Sequence, residues 1–234
     1  MAREALLTSV SVFRELDRAL LQQIATLVRP RQFAPREIVV QQGDPGDGLY
    51  IINSGYLKVT LAGPTGTSST LSIMGPSEMF GELSLLDGGA RSATVTAITR
   101  CDLGAIERQS FLRLFESRPN LGIALMEVVA RRLRRLSERS EDLATLPVPS
   151  RLAKQLLQLA GAHAVRVSPR RVRLAVPLSQ RELGELVGAT RESVNKYLRQ
   201  WRKMGAVDEE SGYLVITDLE RLQQLARPGE PPSE

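Results

Sequence analysis

The sequence predicts an α+β fold: a β-rich N-terminal region, then one long helix, then a C-terminal unit built around two short helices. Three observations carry this. Between Ile38 and Ile106, six short runs rich in β-branched residues are separated by turns containing glycine, proline and aspartate. From Leu121 to about Ala144 the apolar spacing changes to that of a helix. Between Ser179 and Gly205, two capping signals split a helical stretch in two.

Taken in order, Ser9 to Val28 has helical spacing, with Val12, Leu16, Leu20, Ile24 and Leu27 on one face, and Pro30 and Pro35 end it. The β-rich runs are Ile38–Val40, Leu49–Ile52, Tyr56–Leu61, Ser69–Ile73, Ala93–Ile98 and Cys101–Ile106. Strands this short and this closely spaced suit a β-sandwich, roll or barrel. The long helix has Asn120 as its expected N-cap. Its stripe of Leu121, Leu125, Val128, Val129, Leu133 and Leu136, with Leu143 beyond, packs either on a core or on a partner helix. The favoured reading is a dimer seam through Leu125, Val129 and Leu136. The other faces carry Arg131, Arg132, Arg134, Arg135 and Arg139.

Pro147-Val148-Pro149 reads as a stiff linker. A helix from Ser150 to about Leu159 follows, then a strand pair near Val165–Val167 and Val172–Val176. The two short helices span Gln180–Val187 and Arg191 to about Gly205, and strands at Ala206-Val207 and Tyr213–Ile216 close the unit. The expected domains are therefore 1–117, the long helix 118–146, and 147–227, with a disordered tail at 228–234.

Composition excludes several classes of function. No apolar run approaches the roughly 18–20 residues of a membrane span, and Met1-Ala2-Arg3-Glu4 opens no secretory leader, so a cytoplasmic protein with no membrane contact is expected. There is one cysteine, Cys101, and one histidine, His163. No disulfide or Cys/His metal site can be assembled from them, and a Ser-His-Asp or Cys-His hydrolase arrangement would have to rest on that one histidine, which nothing in the sequence supports. Cys101 reads as a small buried hydrophobe and His163 as a surface-loop residue. No catalytic residue, metal ligand or prosthetic group is expected.

Charge is unevenly divided. Residues 1–117 carry 11 Lys+Arg against 12 Asp+Glu, a net of −1, whereas residues 118–203 carry 18 against 7, a net of +11. Such an imbalance suits a polyanion partner or a solvated basic helix face.

Ser179-Gln180-Arg181-Glu182 is a capping box, Gly188 suits a left-handed turn, and Thr190 caps the next helix. Val194 and Leu198 give that helix a buried face, leaving Arg191, Glu192, Asn195, Lys196 and Arg199 toward solvent. Arginine can bond both acceptors of guanine, and glutamate can accept from the amino group of cytosine. An acid is out of place on a surface meant only to attract phosphate, so Glu192 points to sequence reading. Further upstream, Gly81, Arg91 and Ser92 read either as an anion site or as a β-turn with an exposed arginine.

The run Leu183-Gly184-Glu185-Leu186-Val187-Gly188-Ala189-Thr190-Arg191-Glu192-Ser193-Val194-Asn195-Lys196 resembles the helix-turn-helix of the cyclic-AMP receptor protein (CRP/FNR) family of bacterial transcription regulators. Phe80-Gly81-Glu82-Leu83 through Arg91-Ser92-Ala93 resembles the phosphate-binding cassette of cyclic-nucleotide-binding domains. The likeness extends from about Phe13 to Leu222 and includes Gly43–Asp47 and Tyr50–Gly55. It implies an N-terminal cyclic-nucleotide-binding β-roll (jelly-roll-like), a long dimerisation helix and a C-terminal winged helix-turn-helix.

By the same resemblance, Arg191, Glu192 and Lys196 match base-contacting positions, and Gln180, Ser193 and Arg199 match phosphate-contacting ones. Double-stranded DNA with a TGTGA-like palindrome, a homodimer and RNA polymerase are the partners it implies. Glu82 takes the ribose 2′-hydroxyl, Arg91 and Ser92 the cyclic phosphate, and Gly81 and Leu83 shape the cassette. Cyclic AMP is the leading effector. One departure stands out: Leu136 occupies the position where cyclic-AMP-responsive members carry an adenine-recognising threonine, with Ser137 beside it. Cyclic GMP, a cyclic dinucleotide or ligand-independent DNA binding are the alternatives this opens. A nucleotide-sensing module of an enzyme or channel is the less favoured function.

Overall fold

A computed structural model describes residues 2–14, 16–63, 68–118, 120–168 and 171–227. The described residues divide into two compact units, one taking residues up to 67 and 72–136, the other 68–71 and 137 onward. The tail at 228–234, expected to be disordered, lies outside the described residues.

The first unit opens with α1 (Ala2–Ser9), a 3₁₀ turn at Ser11–Phe13 and α2 (Arg18–Leu27). The single helix expected over Ser9–Val28 is thus broken. Val10, at φ −88° and ψ 130°, is extended, and Val12 and Phe13 are buried on the turn that follows. Asp17 then caps α2, its carboxylate accepting from the Leu20 amide at 2.8 Å.

Eight strands follow: β1 (Arg29–Phe33), β2 (Ile38–Val40), β3 (Gly48–Ser54), β4 (Leu57–Ala62), β5 (Ser68–Met74), β6 (Met79–Phe80), β7 (Thr94–Ala97) and β8 (Cys101–Glu107). They form two four-stranded sheets, in the orders β1-β8-β3-β6 and β2-β7-β4-β5. β1 and β8, β8 and β3, β3 and β6, β2 and β7, and β7 and β4 pair antiparallel, with Tyr50 opposite Phe80 and Ile51 opposite Met79 between β3 and β6. β1 had no sequence signal: Pro30 and three exposed polar neighbours hide the strand.

Short α3 (Glu82–Asp87) separates β6 from β7, and α4 (Arg108–Ser117) follows β8. Long α5 (Asn120–Thr145) starts at Asn120 itself, which was expected as its cap. One apolar core joins Leu7, Phe13 and Ile24 to Leu49, Ile106 and Phe111, and to Leu121, Leu125 and Val128 of α5. A second gathers Tyr50, Ile52, Leu57, Phe80, Val95, Cys101 and Leu103. Cys101 is fully enclosed, and burial raises its thiol pKa.

Leu125 belongs to the first core with no exposed surface, so it is unavailable to the seam expected of it. The exposed apolar residues of α5 are Ile123, Met126, Leu133, Leu136 and Leu143, with Val129 half-buried. Met126, Val129, Leu133 and Leu136 alternate by three and four residues, which is a heptad stripe one position away from the core-facing one.

The second unit continues with α6 (Val148–His163), β9 (Ala164–Arg166), β10 (Val172–Leu174), α7 (Gln180–Val187), α8 (Arg191–Lys203), β11 (Val207–Glu210), β12 (Tyr213–Ile216) and α9 (Leu219–Leu225). Its sheet runs β11-β12-β10-β9. The expected Pro147–Pro149 linker shrinks to almost nothing. Pro147 is the extended N-cap of α6, and Pro149 sits in the first turn, where a missing amide costs no hydrogen bond. His163 is likewise not a loop residue; α6 extends through it, and it is buried.

Candidate functional site

Two places in the chain gather the side chains singled out from sequence. In the first unit, β6 leads into Gly81, at φ +90° the N-cap of α3. A side chain here would be strained, and its Cβ would lie 2.4 Å from Arg91 Nη1 and 2.6 Å from the Gly48 carbonyl. Glycine therefore lets the backbone run directly against the arginine. The next residue, Glu82, is 2% exposed, although carboxylates are seldom buried without a partner. Its Oε1 pairs with Arg132 Nη1 of α5 at 2.5 Å. Its Oε2 is buried with no hydrogen-bond partner.

Arg91 follows α3 and is 4% exposed. Its Nη2 donates to Asp47 Oδ1, and its guanidinium carbon lies 5.6 Å from the centroid of the Tyr50 ring. Tyr50 stacks in turn on Phe80 at 5.0 Å. Burial, reinforced by the Asp47 charge, raises the Tyr50 phenol above its ordinary pKa. The backbone of Arg91 is tied to the Gly43–Asp47 turn through its amide to Asp44 O at 2.8 Å and its carbonyl to the Gly43 amide at 2.9 Å. Yet Nε and Nη1 of Arg91 are buried without an acceptor. Leaving such groups unpaired costs on the order of 1–3 kcal/mol apiece.

The chemistry of these orphaned atoms is specific. A guanidinium fork with two free N–H donors suits an anion such as a phosphate, and a carboxylate oxygen without a donor suits a hydroxyl. Gly81, Glu82 and Arg91 are brought together; Asp47 and Arg132 complete the group and were not foreseen. Leu83 and Ser92 are exposed beside it. Ser137 lies on α5 within the second unit and is exposed.

In the second unit the capping box forms as expected. Ser179 Oγ accepts from the Glu182 amide at 3.2 Å, and Glu182 Oε2 accepts from the Ser179 amide at 2.9 Å. Gly188 ends α7 at φ +62°, the left-handed position anticipated for it. Thr190 then caps α8, its Oγ1 accepting from the Ser193 amide at 3.2 Å. Val194, Leu198 and Trp201 are the buried residues of α8.

Arg191, Glu192, Lys196 and Arg199 are exposed, and among the described residues none forms an ion pair. A shallow depression along the helix is lined by Glu192, Asn195, Lys196, Arg199, Gln200 and Lys203. Gln180 is half-buried at the start of α7, and Ser193 is half-buried beneath the cap. A strand pair, β11 and β12, follows α8 directly, with Val207 opposite Ile216 and Glu210 opposite Tyr213.

Comparison with known proteins names both places. A model of the cyclic nucleotide-binding domain matches residues 30–118. A model of the Crp-like helix-turn-helix domain matches residues 150–225. The CRP-like cAMP-activated global transcriptional regulator of Mycobacterium tuberculosis is 37% identical over 224 residues, 96% of this chain and 100% of the relative. The chain belongs to the CRP/FNR family.

Another relative in this family, the cyclic AMP receptor protein of Thermus thermophilus, is 32% identical over 188 residues, 80% of this chain and 83% of that one. The solved structure of FixK2 from Bradyrhizobium japonicum superposes with a TM-score of 0.77 over 87% of this chain and 99% of that one, at 20% identity, a likeness of fold. As a CRP/FNR protein the chain is a transcription regulator and not an enzyme, with a cyclic-nucleotide-binding domain and a DNA-binding helix-turn-helix domain. Among the described residues no helix is long and apolar enough to cross a membrane, and no group of three or more potential metal ligands is present.

Proposed function

We propose that the chain is a homodimeric, cytoplasmic regulator that reads a TGTGA-like palindrome in double-stranded DNA and is controlled by cyclic AMP. The observation that carries the ligand half is the set of unpaired buried atoms: Arg91 Nε and Nη1 on one side, Glu82 Oε2 on the other. A cyclic phosphate answers the first two and a ribose 2′-hydroxyl the third, so one ligand would relieve all three. Gly81, Leu83 and Ser92 complete the cassette in this reading. The relative from M. tuberculosis is named as cAMP-activated, which supports cyclic AMP as the effector to test first.

On DNA, Arg191, Glu192 and Lys196 contact base edges, while Gln180, Ser193 and Arg199 hold phosphates. Dimerisation uses α5 through Met126, Val129, Leu133 and Leu136, the exposed stripe, replacing the enclosed Leu125. RNA polymerase is the further partner expected of a DNA-bound activator. Ligand binding acts by shifting the population of DNA-competent dimers.

A second reading rests on Leu136, which is apolar and 48% exposed on that stripe. A leucine makes no hydrogen bond to an adenine edge, and it strengthens direct helix pairing. In this reading the dimer binds DNA without ligand or responds to another nucleotide. Calorimetry with cyclic AMP, run beside a mobility shift on the palindrome, separates the two. The first expects saturable binding that tightens the DNA complex. DNA binding with no heat from cyclic AMP selects the second, and no DNA binding with or without ligand overturns both.

A further inference from the structure

We infer that Arg108 fixes where Glu82 stands, acting through α3 as a positioning residue for the ribose half of the nucleotide site. This rests on the cyclic-nucleotide reading above.

α3 has only six residues, too few to persist without external support, and its last carbonyls have no partner within the helix. Arg108, the first residue of α4, provides partners. Its Nε donates to the Leu85 carbonyl at 3.1 Å and to the Ser84 carbonyl at 3.3 Å. The guanidinium also lies against Gly88, the C-cap of α3, where an added Cβ would be 3.1 Å from Nη2. A cation at this end of a helix is favoured by the aligned peptide dipoles as well as by the two hydrogen bonds. The neighbouring holds are the Leu85 amide to Gly81 O at 3.1 Å, the Gly88 amide to Ser84 O at 3.1 Å, Ser84 Oγ to Ala90 O at 3.2 Å and the Gly89 amide to Asp87 Oδ1 at 2.7 Å.

The other end of α3 is Glu82, whose Oε2 is the orphaned acceptor. A displacement at Ser84 and Leu85 reaches Glu82 within one helical turn. The main-chain amide of Arg108 meanwhile donates to Asp47 O at 2.9 Å, and the Asp47 side chain anchors Arg91. That second connection belongs to the backbone and survives any side-chain substitution. Loss of the guanidinium should therefore loosen the carboxylate side of the site and leave the arginine side intact.

The test uses the full chain as native protein, Arg108→Met and Arg108→Lys. Each is titrated by calorimetry with cyclic AMP and with 2′-deoxy cyclic AMP, and ligand-free hydrogen exchange is followed at the α3 amides. For Arg108→Met we expect cyclic-AMP affinity to fall about tenfold and 2′-deoxy cyclic-AMP affinity by less than about threefold, because the deoxy ligand has no hydroxyl for Glu82. Arg108→Lys, which restores a cationic donor, should regain most of the loss. Exchange at Leu85 and Gly88 should quicken in Arg108→Met. Equal losses for both ligands would mean a general collapse of the cassette and overturn the inference, as would unchanged exchange in α3. If the native chain binds neither ligand, the cyclic-nucleotide reading falls, and the exchange data alone then uphold or overturn the anchoring of Glu82 by Arg108.

Discussion

The two functional regions handle their polar groups in opposite ways. Around Glu82 and Arg91, charged groups are enclosed and three of their atoms lack partners. Along α8, Thr190 caps the Ser193 amide, and Arg191, Glu192, Lys196 and Arg199 are exposed. The first region holds unmet hydrogen-bonding capacity that a small polar ligand can satisfy. The second offers Arg191, Glu192, Lys196 and Arg199 outward to solvent at little cost, as a surface meeting a hydrated polyanion must.

The contrast can be broken most decisively at Arg91. Replacing it with alanine removes the buried cation and should reduce cyclic-AMP affinity by about 100-fold or more in calorimetry, since a charged hydrogen bond contributes roughly 1.5–3 kcal/mol and at least one is lost along with ion pairing. The same variant should shift DNA unchanged in the absence of ligand. Impaired ligand-free DNA binding would show that the enclosed region serves the fold and not a ligand.

A smaller effect is expected on the outward face. Glu192→Gln should relax discrimination at one base pair of the half-site by about 1–3 kcal/mol, read from competition shifts with singly substituted operators. Arg199→Ala should instead weaken binding to all sequences alike and lower the salt slope by about one. If the two substitutions behave identically, the division of α8 into reading and phosphate-holding residues is wrong.

Smaller still is the cap. Thr190→Ala should lower stability by about 1 kcal/mol in thermal melts of the whole chain, because one amide at the start of α8 loses its acceptor. At the bottom of the scale, Cys101 should resist thiol reagents at mildly alkaline pH. Its raised pKa, caused chiefly by burial, keeps the thiolate scarce. Rapid labelling in the native state would show that its sheet opens far more readily than its enclosure indicates.

The same contrast explains what could be read in the sequence. The bounds of α7 and the start of α8 agree with expectation because their signals are local: Ser179 and Glu182 lie three residues apart, and Gly188 and Thr190 punctuate the turn. The cassette is different. Glu82, Arg91, Asp47 and Arg132 come from four segments separated by up to 85 residues, and no spacing rule connects them. Family resemblance supplied Glu82 and Arg91 and covered the Gly43–Asp47 turn without giving Asp47 a role, and Arg132 reads in sequence as one more basic residue on a solvated helix face.

The errors share a cause. Leu125 and Leu136 lie on one apolar stripe in sequence, but the stripe is broad enough to serve two surfaces, and only packing assigns Leu125 to the core. His163 was placed in a loop because Gly161 and its alanine neighbours interrupt the pattern, yet α6 runs through them and encloses the imidazole. Alanine is the strongest helix former, so Ala160 and Ala162 carry the helix past Gly161.

One feature of α8 also provides a way to observe the molecule. Trp201 is the only tryptophan in the chain, and it is buried in the DNA-reading unit with Tyr197 at 6.3 Å. Its emission is therefore an optical label for that unit alone, whereas circular dichroism samples every helix and strand. Unfolding curves recorded both ways on one sample would overlay if the chain melts as a single cooperative body and separate if its halves melt independently. The chain thus carries its own gauge of how strongly its two halves depend on each other.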